Sequence, residues 1–224
     1  MERTSGGRLC PQQTHAFLNE LLGDDVHATR VLSLANGVVG IMHAASLGIH
    51  AIGRGLADAL DLEPQHAIKQ VDRLLSNRGI VIWEWFAQWC AFVVADRKEL
   101  LVALDWTELD KDGEATIALY VINSHGRATP LIRKTIGSPE RRDRLLFMTA
   151  VAQALLTLLG QAGEDCGLDR TLKANTVKRR TMSIFNQGVY WYGRIPNMRD
   201  ERLRPLMEAF ARRLAEQTAF KQLC

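Results

Sequence analysis

The sequence predicts an α+β protein that is mostly α-helical and contains one small antiparallel β-meander. Apolar residues recur at helical spacing over most of the 224 residues. Between about residues 98 and 136 the pattern changes to three short apolar runs separated by glycine-containing turns, which is typical of a meander. We therefore divide the chain into a helical amino-terminal region (1–97), the meander (98–136) and a helical carboxyl-terminal region (137–224).

The composition is that of an ordinary globular protein. Hydrophobic residues make up 47% and charged residues 24% of the chain, which argues against low-complexity and membrane classes. The most apolar stretches, 80–95 and 145–159, are shorter than a bilayer requires, so we expect no membrane partner. The four cysteines form no CxxC pair and the amino terminus lacks the apolar core of a signal peptide. These features predict free thiols in a cytoplasmic protein.

Four segments of the amino-terminal region have helical patterns. The first is 12–22, and the second, 26–60, is rich in alanine, leucine and other small residues that suit close helix packing. A third helix is predicted to begin at Pro64, which fits a first turn, and to stop at 77–79. The fourth segment, 80–95, has aromatic and β-branched residues that also suit a strand, but its length favours a helix.

Strands and then further helices are predicted in the rest of the chain. The runs ELLVALDWTEL, EATIALYVIN and RATPLIRKTI predict three strands joined by turns at DKDG and SHG. Ser138 is expected to cap the next helix, with Pro139 and Glu140 in its first turn. Additional helices are predicted at about 168–175, 179–193 and 199–217, with a break at 195–197.

Asp105 is the strongest single candidate for a chemical role. It follows the apolar residues Leu100 to Leu104, so we place it at the end of a strand. A buried strand would hold the carboxylate rigidly while the adjoining turn leaves one side open to an ion and a substrate. A structural aspartate at a turn gives the same local pattern, so this position alone does not decide between the two interpretations.

Seven segments in a fixed order carry a resemblance to a known family. They resemble a bacterial family of type-four insertion-sequence DDE transposases, and the resemblance extends from about residue 26 to about residue 215. The segments are HAASLGIHAIG, HAIKQVDRLLSN, VALDWTE, HGRATPL, PERRDRLL, LKANTVKRRTMSIFNQG and IPNMRDERLRPL.

The resemblance implies an RNase H-like catalytic domain that has lost its middle. In the family, the first of three carboxylates (Asp, Asp, Glu) stands on the first strand of an antiparallel meander, and Asp105 matches that position. A long stretch with the second Asp and the Glu should follow the third strand. Here RATPLIRKTI runs directly into GSPERRDRLL, so the junction near Ile136 and Gly137 looks like an internal deletion. The meander is then a remnant of the RNase H-like core.

The missing carboxylates bear on the metal chemistry that the resemblance implies. The intact family uses Mg²⁺, with two ions that activate the attacking oxygen and stabilise the leaving oxygen. Mg²⁺ gives up its water ligands reluctantly and needs several oxygen donors. As a metal ligand, Asp105 alone would hold at most one ion weakly. We therefore expect weak or absent Mg²⁺ binding and no strand transfer by this chain alone.

Two other metal sites are conceivable from the sequence. Glu108, Asp110 and Asp112 resemble the opening of a calcium loop, but the twelfth position is Leu119 rather than Glu, which favours a hairpin turn. His43 and His50 are seven residues apart, a spacing that would put both on one face of a continuous helix. Packed or hydrogen-bonded histidines would show the same spacing.

Charge is distributed unevenly along the chain. Through Gly126 there are 10 basic and 16 acidic residues, a net of −6, and from Arg127 onward there are 18 and 9, a net of +9. A basic half can bind DNA by displacing counterions, although a solvated helix face explains the same pattern. The candidate DNA-binding residues are Lys69 and Arg73, then Arg141 and Arg142 with the adjacent Arg144, and finally Lys173, Lys178, Arg179 and Arg180.

The sequence therefore predicts a protein of the insertion-sequence transposase family, whose family function is DNA transposition by strand cleavage and transfer. We expect it to be catalytically incompetent alone because the second Asp and the Glu are missing. Two alternatives remain open. The chain could be a non-catalytic regulator that binds element ends, joining full-length transposase or copies of itself, or it could be the functionless product of a decayed gene.

Overall fold

The computed structural model describes residues 11–23, 25–95, 97–109, 114–122, 128–136 and 140–219. It is mostly helical, with one three-stranded antiparallel sheet, and thus has the predicted α+β composition. The helices are α1 (Pro11–Leu22), α2 (Ala28–Ala44), α3 (Ile49–Leu60), α4 (Pro64–Ser76), α5 (Ile82–Val94), α6 (Glu140–Asp165), α7 (Ile184–Arg194) and α8 (Asp200–Ala219), and the strands are β1 (Leu101–Leu109), β2 (Glu114–Ile122) and β3 (Ala128–Ile136).

The small-residue stretch 26–60 forms two helices that pack very closely. Helix α2 ends at Ala45, whose φ of 47° lies in the left-handed region, and α3 leaves at 97° to α2. A β-carbon built on Gly40 would lie 2.6 Å from the carbonyl oxygen of Ile52, and one on Gly55 would lie 2.8 Å from that of Gly40. Only glycine permits backbones to approach so closely. The expected close packing is therefore confirmed.

The predictions for α4 and α5 are confirmed. Helix α4 begins at Pro64, and the side chain of Glu63 caps it by accepting a hydrogen bond of 3.0 Å from the backbone N–H of His66. Segment 80–95 is a helix, and its buried residues include Trp85 and Trp89. Length and burial outweigh the strand preference of its aromatic and β-branched residues because the helix packs its apolar surface into the core.

The three predicted strands form an antiparallel sheet in the order β1-β2-β3. Opposite β2, strand β3 contains one extra residue, Leu131, where the pairing shifts from Ile132 to Pro130. Side chains of α5 bind the carbonyl oxygens at this bulge: Trp89 Nε1 donates to Pro130 at 2.8 Å, and Cys90 Sγ donates to Leu131 at 3.5 Å. Strand β3 also packs against α6, so α5 and α6 together cover the sheet at β3.

Helix α6 is the central element of the protein. Its 26 residues include many buried apolar side chains, among them Phe147, Val151 and Leu159. By length and composition alone α6 is apolar enough to cross a membrane, as the bent α2–α3 pair would be if it formed one span. In the folded chain, 61% of the most apolar 18-residue segment of α6 is buried. A helix in the core of a folded protein has the same length, composition and burial.

The carboxyl-terminal region differs from the predicted helices at two places. Residues 168–175 form only a short 3₁₀ turn, Leu168–Leu172. The helix predicted at 179–193 begins at Ile184, because the Ser183 hydroxyl accepts a hydrogen bond of 3.1 Å from the Asn186 N–H and caps α7 there. A second 3₁₀ turn, Ile195–Asn197, forms the predicted break before α8.

One hydrophobic core joins the three regions distinguished in the sequence. It runs from Phe17 in α1 through Val121 in β2 to Phe210 in α8. Cys90 and Cys166 are free thiols, as expected, and burial raises the pKa of the Cys90 thiol to about 11. The DKDG and SHG turns, the cap at Ser138 and the junction at Gly137 lie outside the described residues.

Candidate nucleic-acid interface and the Asp105 position

Asp105 lies in the middle of β1, which corrects its predicted place at a strand end. The strand continues past it to Leu109 because β2 pairs with β1 along its whole length, and Asp105 itself is opposite Ala118. The side chain is exposed, and one carboxylate oxygen accepts a hydrogen bond of 3.4 Å from the Thr107 hydroxyl. The carboxylate is therefore held on an open strand surface rather than beside a turn.

The donors around Asp105 do not fit a two-metal centre. Glu108 is three positions further along β1, and since strand side chains alternate, it projects from the opposite face. Within the part of the chain that the structure describes, no three residues of the His, Cys, Asp and Glu types come together as metal ligands. Asp110 and Asp112 of the conceivable calcium loop lie outside the described residues. Asp105 thus has the position of a single ligand.

The expected alignment of His43 and His50 is wrong. His43 is in α2 and His50 is in α3, and the turn at Ala45 separates the two helices. The imidazole of His43 instead packs edge-to-face against Tyr192, with ring centroids 6.1 Å apart. The prediction from the seven-residue spacing failed because it assumed one continuous helix.

The surface of β1 is unusually apolar for an edge strand. Every residue from 101 to 108 is exposed, and the exposed fractions are 67% for Leu101, 65% for Leu104 and 52% for Trp106. Strand β1 pairs with β2 on one side, and none of the other described strands pairs with its second side. Its backbone N–H and C=O groups on that side are a template for another strand.

The first two predicted basic groups lie next to each other. Lys69 and Arg73 are exposed on α4, and neither forms an ion pair with a described residue. Arg141, at the start of α6, forms an ion pair of 2.5 Å with Asp72 of α4 and also donates to the Ser76 hydroxyl. These contacts hold the first turn of α6 against the carboxyl-terminal end of α4.

Arg144 is a structural residue rather than a DNA ligand, and Arg142 is not fully free. The side chain of Arg144 is buried, and its guanidinium donates to the carbonyl oxygens of Leu75 at 2.8 Å and Ile80 at 3.3 Å. It also pairs with Glu140 at 2.9 Å. Arg142 is half-buried and interacts within the chain. Arg141, with 40% of its side chain exposed, is far more accessible than Arg144.

The third basic group divides into paired and unpaired cations. Lys173 forms an ion pair of 2.8 Å with Asp169. Arg180 binds both carboxylate oxygens of Glu164, at 2.6 and 2.8 Å. Lys178 and Arg179 are exposed and have no ion-pair partner among the described residues. Only these last two are fully available to a polyanion.

The hydrogen bonds of Glu164 alter the ionisation of this pair. The side-chain hydrogen bond from Arg180 lowers the pKa of Glu164, and burial opposes it only in part. The same contact raises the pKa of Arg180. Gln187 of α7 adds a hydrogen bond of 2.9 Å to the carboxylate. Glu164 therefore ties the segment before α7 to the end of α6, a role that its sequence gives no sign of.

The basic groups lie at opposite ends of α6. Arg141 is in the first turn and Glu164, the partner of Arg180, is in the last. The two residues are 23 positions apart, which at a rise of about 1.5 Å per residue corresponds to about 35 Å. The basic carboxyl half therefore does not form a single patch. Instead, Arg141 contacts α4, the helix of the amino-terminal region that carries Lys69 and Arg73.

Comparisons with known protein families, curated proteins and solved structures found no match to this chain.

Proposed function

We propose that this chain is an internally deleted insertion-sequence DDE transposase that cannot cleave DNA by itself. The proposal starts from the seven sequence segments that resemble the family, with Asp105 at the position of its first carboxylate. The observation that carries it is the isolation of Asp105, an exposed carboxylate on β1 that has, among the described residues, no companion ligands of the kind that a two-metal reaction needs.

The open side of β1 supports the deletion. A strand with Leu101, Val102, Leu104 and Trp106 has the composition of a strand inside a sheet that is covered on both faces. Its first four residues, Leu101–Leu104, lack the charges, proline or bulge with which an ordinary edge strand prevents pairing with other chains. Partner strands and the second and third carboxylates would both come from the stretch missing between β3 and α6. One loss accounts for the exposed strand and for the isolated Asp105.

A cleavage assay tests the loss of catalysis. The purified chain is incubated with Mg²⁺ or Mn²⁺ and a plasmid bearing matched element ends, beside an Asp105→Ala variant. We expect both proteins to leave the plasmid uncut, because neither can hold two ions. Metal-dependent nicking by the wild-type chain that Asp105→Ala abolishes would overturn the proposal.

A second candidate function is regulation of transposition by DNA binding without cleavage. Exposed cations without ion-pair partners among the described residues favour it, namely Lys69, Arg73, Lys178 and Arg179. Phosphate contacts need only dispersed cations, so they survive a deletion that removes a catalytic centre. Such a protein would occupy element ends or join full-length transposase subunits.

Binding measurements test this candidate. We expect affinity for duplex DNA that falls steeply with salt, and tighter binding to element ends than to unrelated duplex. A Lys178→Gln/Arg179→Gln variant should weaken binding to both duplexes, because these residues would contact phosphates rather than bases. Equal, salt-insensitive retention of every duplex would exclude a regulator.

A further inference from the structure

A basic cleft lies between α2 and α4, beside the first two basic groups. It has a volume of about 420 Å³, and its polar lining comes from Thr29, Arg30 and Ser33 of α2 and from His66, Gln70 and Arg73 of α4 together with the capping residue Asn77. The three polar α4 residues are spaced by four and then three positions, so they share one helix face. Leu74 and Ile80 complete the lining.

The charge of this lining has one sign. It contains two arginines and a histidine but no Asp or Glu. Arg30 and Arg73 are exposed, and neither forms an ion pair with a described residue. The nearby carboxylates are engaged elsewhere: Asp72 pairs with Arg141, and Glu63 caps α4. The cleft therefore keeps a positive potential that residues in its own walls do not neutralise.

The two arginines reach the cleft from opposite walls. Arg73 belongs to the last turn of α4. Arg30 extends from the first turn of α2 across to Gly79, where a β-carbon would lie 3.0 Å from its Nη2 atom. Two guanidinium groups thus flank one concave surface that hydroxyl, amide and imidazole groups line.

We propose that this cleft binds a phosphate group, with Arg30 and Arg73 as its principal ligands. Guanidinium groups match the oxygens of phosphate through paired, charge-assisted hydrogen bonds, and the polar side chains of the lining can supply further donors. The phosphate can belong to a DNA backbone or be free in solution. The choice of DNA as its source rests on the proposed function, since Lys69 and Arg141 extend the basic surface beyond the cleft.

The first measurement uses inorganic phosphate and does not depend on DNA. Phosphate is titrated into the full chain while the side-chain NMR signals of His66, assigned with a His66→Gln variant, are followed. We expect saturable shifts in the wild-type protein and none in Arg30→Gln/Arg73→Gln. The matched control, Arg202→Gln/Arg204→Gln, removes the same charge from exposed positions of α8 and should behave as the wild type does.

The second measurement uses a short fluorescent DNA duplex at several salt concentrations. We expect Arg30→Gln/Arg73→Gln to weaken binding about tenfold and to reduce the slope of log affinity against log salt by about one to two, while the control changes little. Unfolding curves of each variant establish that it is folded. Arg73→Gln alone provides a milder variant should the double substitution not fold, with the same direction of effect expected.

The outcomes of the two measurements distinguish a failure of the phosphate site from a failure of the proposed function. Phosphate-dependent shifts of His66 without any DNA binding would support the phosphate site and contradict a DNA-binding role. If phosphate leaves the His66 signals unchanged and both double variants bind DNA equally well, the cleft is not a phosphate site. DNA binding by the protein would not be contradicted by that result. If Arg30→Gln/Arg73→Gln, but not the control variant, loses the phosphate-dependent shifts of His66 and the affinity for DNA, the result supports both the phosphate site and the proposed function. The phosphate would then belong to DNA.

Discussion

At the scale of single residues, burial decides which arginines of α6 are structural. Arg141 and Arg144 are three positions apart in the sequence RRDR, and their charge is the same. Arg141 reaches an exposed carboxylate, whereas Arg144 turns into the protein and satisfies two backbone carbonyl groups. Arginines that are clustered in the sequence can therefore have different roles: one forms an exposed ion pair, and the other is a buried structural residue.

The first prediction concerns Arg144. Arg144→Met should lower the free energy of unfolding by about 2–4 kcal/mol, because the carbonyl groups of Leu75 and Ile80 would lose their donors. Arg141→Met, the matched control, should cost about 1 kcal/mol or less, since exposed ion pairs contribute little. Urea unfolding of both variants measures the difference. Equal losses would contradict the structural role of Arg144.

At the scale of elements, glycines fix how α6 and α7 cross. A β-carbon on Gly188 would lie 1.7 Å from the carbonyl oxygen of Leu156, and one on Gly160 would lie 2.0 Å from that of Ile184. Both obstacles are backbone atoms, which cannot move aside without displacing a helix. The crossing thus requires glycine on each side.

The second prediction compares two glycines of α7. Gly188→Ala should destabilise the protein by about 3 kcal/mol or more, because the helices must separate to admit the methyl group. Gly193 has open space around it, so Gly193→Ala should be neutral or stabilising by up to about 1 kcal/mol through helix propensity. Thermal unfolding distinguishes them. A stable Gly188→Ala protein would show that the helices cross less tightly.

The third prediction concerns the pH dependence of the segment before α7. Because Arg180 lowers the pKa of Glu164 in the folded chain, this pair stabilises the protein at a pH above the unfolded pKa of a glutamate. The contribution is lost as pH falls through the lower, folded pKa. Glu164→Gln should therefore be less stable than the wild type near neutral pH.

The difference between wild type and Glu164→Gln should then shrink in acid. Melting temperatures measured from pH 7 down to the acid limit of folding test this. Arg213, which binds both oxygens of Asp165 at the same end of α6, provides the comparison: Arg213→Gln should leave the Glu164-dependent part unchanged. A stability difference for Glu164→Gln that is constant with pH would refute the assignment.

At the scale of the whole molecule, the protein has one well-packed core and one unsatisfied strand. The core extends from α1 to α8. It buries Phe147 of α6 and every aromatic side chain of α5 except Trp83, which is exposed. Strand β1 instead exposes large apolar side chains to solvent, and no other described strand pairs with its second edge. These features give the molecule a surface suited to association with other chains.

The fourth prediction concerns self-association through β1. Leu104→Lys should reduce aggregation or oligomer formation, because a charge on an edge strand opposes edge-to-edge pairing. It should hardly change the unfolding midpoint, since Leu104 is exposed. Leu47→Lys, at an equally apolar exposed site outside the sheet, is the control and should not alter association. Sedimentation analysis over a concentration range provides the measurement, and a monomeric wild type would contradict the prediction.

Local patterns in the sequence were enough to predict the types of most elements, although the helix predicted at 168–175 is only a 3₁₀ turn. The periodicity of α4, the Pro64 start and the alternation from strand to glycine-containing turn act over a few residues, so they can be recognised without the fold. The break between α2 and α3 was missed because the left-handed residue there is Ala45, which lacks the glycine signal. The late start of α7 was missed because the prediction did not recognise Ser183 as the residue that caps this helix.

The sequence by itself determined the mostly helical α+β class, the three strands and the supply of basic residues. Only the tertiary structure decided which cations stay available, because their partners are distant in sequence: Asp72 lies 69 residues from Arg141, and Glu164 lies 16 residues from Arg180. It also decided that Asp105 stands exposed in mid-strand and that Arg30 and Arg73 share a cleft. Helix packing brings these charges together or apart, and no local pattern encodes it.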